Sequence, residues 1–236
     1  MNVSKEQQKY LRKLKINSAI VNASRIGILV IFIALWEVLV SSGAVDGFLF
    51  SSPSRIVKTT IELYTAGDLF LHIGTTLLET LLGFLIASVL GVLIAVVLWW
   101  SETLRRIFEP YIVVLNSLPK IALGPLIIIW FGAGMKSIVF MAVIITIIVT
   151  IINMLAGFTE TDKNKILLLR SLGATKPQIF FHLVMPSSLP TLVSTLKINV
   201  GMSWIGSIMG EYLVSKRGIG YLIVYGGQVF KLDLVM

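Results

Sequence analysis

The sequence predicts an all-α, polytopic membrane helical bundle. Of its 236 residues, 56% are hydrophobic and 14% are charged, whereas soluble domains carry roughly 25% charged residues. The apolar residues gather into long runs that are separated by short polar segments rich in lysine and arginine. These two observations exclude a water-soluble globule. The net charge of +8 lies at the ends of the apolar runs, so it indicates membrane topology and predicts no nucleic-acid partner.

The chain opens with a basic segment, residues 1–25, in which six lysines and arginines face a single acidic residue, Glu6. The first apolar span follows at residues 26–42 and is interrupted by Glu37. No small-residue cleavage site follows this run, so we expect the basic segment to be retained. The positive-inside rule then predicts a cytoplasmic N-terminus, with residues 26–236 forming the transmembrane domain.

A short amphipathic helix is predicted after the first span. The letters SSPS at residues 51–54 open a helical pattern that runs to Leu63, with its apolar residues on one side. The helix would lie on the outer membrane surface or, equally, be a short helix that faces solvent.

Four further spans are predicted at residues 71–100, 111–132, 137–159 and 191–213, which gives five in all. The second span repeats a small residue every fourth position, at Gly83, Ala87, Gly91 and Ala95. Such a ladder lets two helix backbones approach closely. It would serve either packing within one subunit or an interface between subunits.

The third span is broken by Leu118-Pro119-Lys120 and by Gly124-Pro125. Backbone groups freed by proline must be satisfied by protein or by water in a cavity. We therefore expect either a broken helix that lines a path or a simple proline kink.

Polar groups within the spans are candidates for a translocation path, because an ionisable side chain in a membrane needs a partner or a wet cavity. Lys197 in the fifth span would either pair with Glu79 of the second span or extend to the cytoplasmic surface. The candidate path residues are Glu79, Asn116, Pro119, Lys120 and Lys197.

Residues 160–190 form a polar-framed loop between the fourth and fifth spans. The spacing predicts two short helices, the first ending at Gly173 in the left-handed conformation that favours glycine. Thr175 and Gln178 form a capping-box pattern that begins the second helix, and Pro186 and Pro190 are expected to end it. The expected apolar stripes are Ile166, Leu167 and Leu169 in the first helix and Ile179, Phe180, Leu183 and Val184 in the second.

The charges of this loop place it in the cytoplasm, since four basic residues outweigh Glu160 and Asp162. The loop contains a motif that consists of Gly173, nine further residues and then Leu183-Val184-Met185-Pro186. This motif resembles the G-x9-I-x-L-P core of the "EAA" loop, which marks the permeases of binding-protein-dependent ABC importers. The surrounding RSLGATKPQIFFHLVMPSSLP resembles the branch that handles nitrate, taurine and aliphatic sulfonates. One departure is that Leu167-Leu168-Leu169 stand where the family often has Glu-Ala-Ala, which removes a carboxylate that would form a salt bridge with the ATPase.

Further stretches are similar to the same family. They are the Leu118-Pro119 region with Trp130-Phe131-Gly132, and Glu211 followed by Gly218-Ile219-Gly220. The resemblance implies a MetI-like ABC permease fold. Members usually continue into a sixth span after a segment like residues 230–236, so we expect the sequence to be truncated after Met236.

The resemblance also implies partners and a location. A separate ATPase subunit would dock on the loop 160–190, a second permease copy would complete the path, and an extracytoplasmic solute-binding protein would deliver solute. The protein would cross the cell membrane of a prokaryote, in contact with membrane lipid. The expected solute is a small anion or organic molecule, such as sulfonate, taurine, nitrate or a thiamine-precursor pyrimidine. The expected ATPase-coupling residues are Leu169, Arg170, Gly173, Ala174, Gln178, Leu183 and Pro186.

The sequence gives little support to enzyme chemistry. It contains no G-x-x-x-x-G-K-[ST] phosphate loop and no cysteine. His72 and His182 lie far apart in the chain, so no metal site, cofactor or catalytic pair is predicted. The alternative functions are a stand-alone channel or secondary transporter and, more weakly, a membrane scaffold.

Overall fold

The computed structural model describes residues 5–236, and every regular element within that range is helical, which confirms the all-α prediction. Residues 1–4 of the predicted basic segment lie outside the described residues. In chain order the helices are α1 (Lys5–Ser41), α2 (Gly47–Phe50), α3 (Pro53–Thr65), α4 (Leu69–Trp100), α5 (Glu102–Ser117), a 3₁₀ turn (Lys120–Leu123), α6 (Gly124–Phe131), α7 (Met135–Thr159), α8 (Lys163–Ser171), α9 (Lys176–Ile179), a π turn (Phe180–Val184), α10 (Met185–Ser187), α11 (Leu189–Val214), α12 (Ile219–Gln228) and α13 (Leu232–Val235).

Helix length and composition agree with the five predicted spans. Three helical stretches in the described part of the chain are long and apolar enough to cross a membrane, namely Tyr10–Ser41, Leu69–Trp100 and Met135–Thr159. Two further pairs of segments qualify as bent spans, Glu102–Ser117 with Lys120–Phe131 at 87° and Lys176–Ser187 with Leu189–Val214 at 60°.

The first helix begins earlier than its apolar run. From Lys5 onward the basic segment and the first span form the single helix α1. The basic part is rich in lysine, arginine, glutamine and leucine, which lose little side-chain freedom in a helix. The polar segment therefore extends the span as a helix.

Helix α1 belongs to a compact unit made of residues up to 66 together with 226–236. Its Glu37 accepts hydrogen bonds from the N–H and Oγ of Ser54, at 2.9 and 2.8 Å, in the first turn of α3. Ser52 caps α3, which confirms the helix predicted to follow the SSPS letters. Arg55 forms an ion pair of 2.8 Å with Asp233, and Ser51 Oγ donates to the same carboxylate.

The second unit, residues 67–225, is built on three long helices. Gly83 of α4 lies against Ala142 of α7, and Gly91 lies against Thr150, so that the two helices are parallel and in register. The small-residue ladder of the second span therefore faces α7 of the same chain. This packing decides between the two alternatives for the ladder in favour of packing within one subunit.

Helix α11 runs antiparallel to both α4 and α7. Gly206 meets Ala142 and Gly210 meets Ile138, so residue numbers fall along α11 as they rise along α7. Buried polar side chains add hydrogen bonds across the three helices. Asn199 donates to Ser88 Oγ and to Thr150 Oγ1, both at 2.9 Å.

The predicted break in the third span is present. Helix α5 ends at Ser117, the chain passes through the 3₁₀ turn, and α6 continues at an angle of 87°. Because α4 and α7 are parallel, residues 101–134 must return the chain to the end of the bundle from which α4 started. The bent pair therefore completes a full crossing of the unit.

Candidate functional site

The loop 160–190 begins with a helix that ends in a tight glycine turn. Helix α8 stops at Ser171, and Gly173 adopts a φ of +84°, in the left-handed region that suits glycine. The Gly173 N–H donates to the Arg170 carbonyl and the Ala174 N–H to the Leu169 carbonyl, both at 2.9 Å. This pair of bonds is a Schellman motif, so the predicted role of Gly173 as a helix terminator is confirmed.

The second helix of the loop starts as predicted but does not end where predicted. Gln178 Oε1 accepts hydrogen bonds from the N–H and Oγ1 of Thr175, at 2.7 and 2.9 Å, which confirms the capping-box pattern. The helix continues past Pro186, so the expectation that Pro186 ends it is wrong. A π turn precedes the proline, with Met185 N–H donating to the Phe180 carbonyl, and the bend comes at Ser188.

One face of the loop packs on the ends of α4 and α7. Ile179, Phe180 and Val184 are buried in a cluster with Met154 and Phe158. The side chains that pack against this cluster from the loop and the helices include Ile166, Leu169, Ala174, Val92 and Trp99. Three of the four residues expected in the apolar stripe of the second helix, all but Leu183, therefore lie in this cluster, and they fix the loop to the spans.

Lys176 adds a polar anchor between the loop and α4. Its ammonium group donates to the carbonyl of Trp100, the last residue of α4. The same nitrogen lies 5.6 Å from the Trp99 ring centre and 5.8 Å from that of Trp100. A cation at a helix C-terminus satisfies an unpaired carbonyl and complements the helix dipole, while the rings add cation–π attraction.

Several large apolar side chains of the loop are exposed. Leu167, Leu168 and Leu172 are 66%, 59% and 74% exposed, and Phe181 is 65% exposed. Leu167 was expected on the same apolar stripe as Ile166 and Leu169, but it points away from the cluster that those two contact. We call this exposed set, Leu167, Leu168, Leu172 and Phe181, the apolar loop surface.

An open groove lies beside the apolar loop surface. It is lined by Leu169, Leu172, Gly173, Ala174, Gln178 and His182. Four of the seven expected coupling residues, Leu169, Gly173, Ala174 and Gln178, therefore share one groove. Arg170 and Pro186 are exposed outside it, and Leu183 is half-buried.

The candidate path residues do not form one cluster. Asn116, Pro119 and Lys120 lie together at the break of the third span, where Lys120 Nζ donates to the Asn116 carbonyl at 3.0 Å. Lys120 thus caps the end of α5. Glu79 is buried in α4, while Lys197 is exposed on α11.

The suggested pairing of Glu79 with Lys197 is wrong. Thr76 meets Glu211 and Ser88 meets Asn199, so Glu79 is level with residue 208 of α11. Lys197 lies 11 residues further along, which is about 16 Å at 1.5 Å per residue. The neighbour of Glu79 is instead Glu211, which is bound by Thr76 one turn earlier on the same helix.

The network around Glu211 was missed at the sequence level. Thr76 Oγ1 donates to Glu211 at 2.6 Å, and His72 Nδ1 accepts from the N–H of Gly218 at 2.9 Å. Glu211 and Gly218 had been singled out only for their likeness to a family motif. Their partners lie more than 130 residues earlier, and no local spacing signals such a contact. In the described part of the chain, no group of three or more His, Cys, Asp or Glu side chains forms a metal-binding cluster.

These features define a class of protein, a multi-pass helical membrane protein with an exposed apolar surface on a loop between two spans. Comparison with known proteins identifies a family within this class. The family model described as "Binding-protein-dependent transport system inner membrane component" matches residues 87–236. The chain therefore belongs to that family of ABC importer permease subunits, as the sequence resemblance predicted.

Individual relatives agree with this assignment. The formylaminopyrimidine transport permease of Halalkalibacterium halodurans is 34% identical to this chain, over 79% of this chain and 74% of its own length. The taurine transport system permease of Escherichia coli K12 is 23% identical, over 89% and 78%. An aliphatic sulfonates transport permease of Bacillus subtilis 168, whose assignment is itself provisional, is 28% identical, over 84% and 72%.

A solved structure shares the fold. A chain from the MetNI methionine ABC transporter in inward facing conformations aligns with a TM-score of 0.59 at 22% identity. The alignment covers 68% of this chain and 83% of that chain. The likeness confirms the expected MetI-like fold.

Proposed function

We propose that this chain forms the translocation path of an ATP-driven importer and transmits force from a separate ATPase subunit through the loop 160–190. Two copies of the chain would enclose the path, and an extracytoplasmic binding protein would supply the solute. The N-terminus and the loop would be cytoplasmic. ATP binding would move the loop and shift the spans between inward-open and outward-open states.

The observation that carries this proposal is the two-sided construction of the loop. Its inner face is packed against the ends of α4 and α7, whereas the apolar loop surface is exposed. A loop that is packed against the spans on one face and carries exposed apolar side chains elsewhere is suited to receive a partner and pass its motion to the spans. The family supports an ATPase as that partner.

The leucines at the usual Glu-Ala-Ala positions change the expected chemistry of the contact. Leu167 and Leu168 are exposed, and neither carries a charge. Docking would therefore depend on burial of apolar side chains in the ATPase rather than on a salt bridge from these positions. Burying one leucine contributes roughly 1.5–3 kcal/mol.

The solute class follows from the relatives. Their names cover formylaminopyrimidine, taurine and aliphatic sulfonates. We propose a small polar or anionic organic solute of this range, with nitrate as a further member. ATPase activity of the reassembled importer in proteoliposomes, stimulated by the binding protein with each candidate solute, identifies it. Uptake in liposomes that hold this chain without an ATPase would instead favour a channel or secondary transporter.

The docking step is tested with Leu172→Glu, because Leu172 is the most exposed member of the apolar loop surface at 74%. We expect Leu172→Glu to weaken co-purification of the ATPase by about tenfold to a hundredfold, the equivalent of one lost buried leucine. Leu172→Met is the matched control, since it keeps an apolar side chain of similar volume, and it should retain the partner. Equal ATPase retention by Leu172→Glu and the unaltered chain would contradict the proposal.

A further inference from the structure

A pair of carboxyl groups is buried between α4 and α11. Glu79 and Glu211 are 2% and 1% exposed, and Glu79 follows by one helical turn Thr76, whose hydroxyl binds the Glu211 carboxylate, so the two carboxyl groups are neighbours in the same interface. The ion pairs in the described part of the chain involve Arg55, Arg105 and Arg106, so none of them neutralises this pair. Two ionised carboxylates in contact, away from water, would repel each other strongly.

The two carboxyl groups have very different surroundings. Glu211 accepts a hydrogen bond from Thr76 Oγ1 at 2.6 Å and another from the Gly220 N–H at 2.5 Å. Glu79 Oε2 is buried and receives no hydrogen bond from the described residues. Glu211 thus has the donors that an ionised carboxylate requires, whereas Glu79 Oε2 receives none from the part of the chain that the structure describes.

We propose that Glu79 and Glu211 form a proton-binding site in which Glu79 carries the proton and Glu211 accepts the hydrogen bonds of the surrounding donors. The proton removes the charge from the carboxyl group that lacks donors. It also provides the hydrogen bond that joins the two side chains. The ligand of this site is the proton itself, and the proposal does not depend on the transport function.

The site holds the start of α12 against α4 and α11. Three successive backbone N–H groups donate to side chains of the two long helices: Gly218 to His72, Ile219 to Thr76 and Gly220 to Glu211. A negative charge on Glu211 also complements the N-terminus of α12. Loss of the proton would place a second charge beside Glu211 and loosen these contacts.

Two glycines make this approach possible. A Cβ atom on Gly218 would lie 2.3 Å from the Glu211 carboxyl carbon, and one on Gly220 would lie 2.8 Å from the Glu211 Cβ. Only glycine therefore allows the backbone to reach the carboxylate at both positions. The Gly218-Ile219-Gly220 sequence has a physical reason in this site.

Other titratable groups lie on the elements packed around the pair. They are His72 on α4, Tyr212 on α11, Lys136 at the start of α7, Lys216 and Arg217 in the turn before α12, and Tyr221 on α12. The three cations are exposed. Protonating His72 would convert Nδ1 from an acceptor into a donor and break its bond to Gly218, so this group requires its own control.

The first experiment compares the pH dependence of stability in the purified full chain and in Glu79→Gln. If the folded pair binds a proton that free glutamates have lost at neutral pH, stability falls as pH rises. We expect the apparent unfolding temperature of the unaltered chain to fall as the pH rises above the ordinary titration range of glutamate, and that of Glu79→Gln to change much less. Because glutamine keeps a donor toward Glu211, it reproduces the protonated state.

The second variant separates the two roles. In Glu211→Gln the side-chain NH₂ group is a hydrogen-bond donor that faces other donors. We therefore expect this variant to have a lower unfolding temperature than Glu79→Gln at the same pH. A His72→Asn background keeps an acceptor near Gly218 while removing the imidazole titration. The difference between the unaltered chain and Glu79→Gln should persist in that background.

Infrared spectroscopy gives a direct readout. A protonated carboxyl stretching band should be present at about pH 7 and be lost in Glu79→Gln, since an unperturbed glutamic acid is ionised there. Parallel stability curves for the two proteins, or a band unchanged by the substitution, would overturn the proposal. So would stabilisation by sodium or calcium that disappears in Glu79→Gln, because it would identify a cation site. If the Glu79→Gln protein cannot be produced in folded form, the unaltered chain is sufficient for the test: absence of the protonated carboxyl band from its spectrum would refute the proposal.

Discussion

At the scale of single residues, the closest approaches between the spans depend on glycine. A Cβ atom on Gly206 would lie 2.5 Å from the Ala142 Cα, and backbone at that position cannot move without separating α11 from α7. Gly201, on the same helix, has nothing within 4 Å of such an atom. The two positions therefore form a matched pair.

We expect Gly206→Ala to lower the free energy of unfolding by about 1–3 kcal/mol, the usual cost of overpacking. Gly201→Ala should leave it unchanged or raise it, since alanine favours a helix over glycine by about 1 kcal/mol. Unfolding of both variants in the same detergent measures the difference. Equal stability of the two variants would show that the helices separate more easily than this packing indicates.

Residue-level predictions from the sequence succeeded where the deciding contacts are local. Gly173 ends α8 and Thr175 pairs with Gln178, and both patterns lie within six residues of chain. The Glu79–Glu211 contact was not found, because it joins positions 132 apart and each residue taken alone has several possible partners. The alternative that paired Glu79 with Lys197 was wrong because helix register is set by packing and not by composition.

At the scale of elements, the second helix of the loop shows how a proline can be accommodated. Pro186 lacks an N–H, which normally interrupts a helix. Here the π turn from Phe180 to Val184 has already shifted the hydrogen bonding by one residue, with Met185 donating to Phe180. The sequence did not indicate this shift, which lies in the segment that carries the buried residues Phe180 and Val184.

Lys176 connects this element to α4, and we expect Lys176→Met to loosen the loop. The substitution removes the bond to the Trp100 carbonyl and the contacts with two indole rings, each cation–π contact contributing about 0.5–1 kcal/mol at exposed sites. Trypsin cleavage after exposed Arg170 measures the effect and should become several-fold faster. Lys165→Met, on the exposed side of α8, removes a similar charge and should not change the cleavage rate. Equal rates for both variants would rule out the anchoring role.

At the scale of the whole molecule, the five spans that the sequence predicts are consistent with the directions in which the long helices run. Apolar runs of adequate length identified the spans, and the prolines of the third span indicated its break, whereas the bend that precedes the fifth span was not predicted. Helix directions could not be obtained in this way. They follow from contacts such as Gly83 with Ala142 and Asn199 with Ser88, which make α4 and α7 parallel and α11 antiparallel.

These directions predict which polar positions lie on the same side of the membrane. Helix α11 has 26 residues, or about 39 Å, which exceeds the roughly 30 Å of hydrocarbon in a bilayer. Its first turns follow the loop that carries Arg170, which is anchored at the C-terminal end of α4 by Lys176. Its last turn leads to Lys216, next to the N-terminal end of α4, where His72 contacts Gly218. Arg170 and Lys216 must therefore face opposite compartments.

The chain contains no cysteine, so single cysteines can be introduced without removing others. We expect a membrane-impermeant maleimide to label Lys216→Cys and Asp68→Cys in intact cells, since both positions flank the N-terminal end of α4. Arg170→Cys and Glu102→Cys should be labelled only after the membrane is permeabilised. Glu102 begins α5 directly after the C-terminal end of α4. It therefore serves as a second position expected on the same side of the membrane as Arg170. Labelling of Arg170→Cys in intact cells would place the apolar loop surface outside, where no ATPase could reach it. Labelling of all four positions from one side would contradict the antiparallel path of α11 through the membrane.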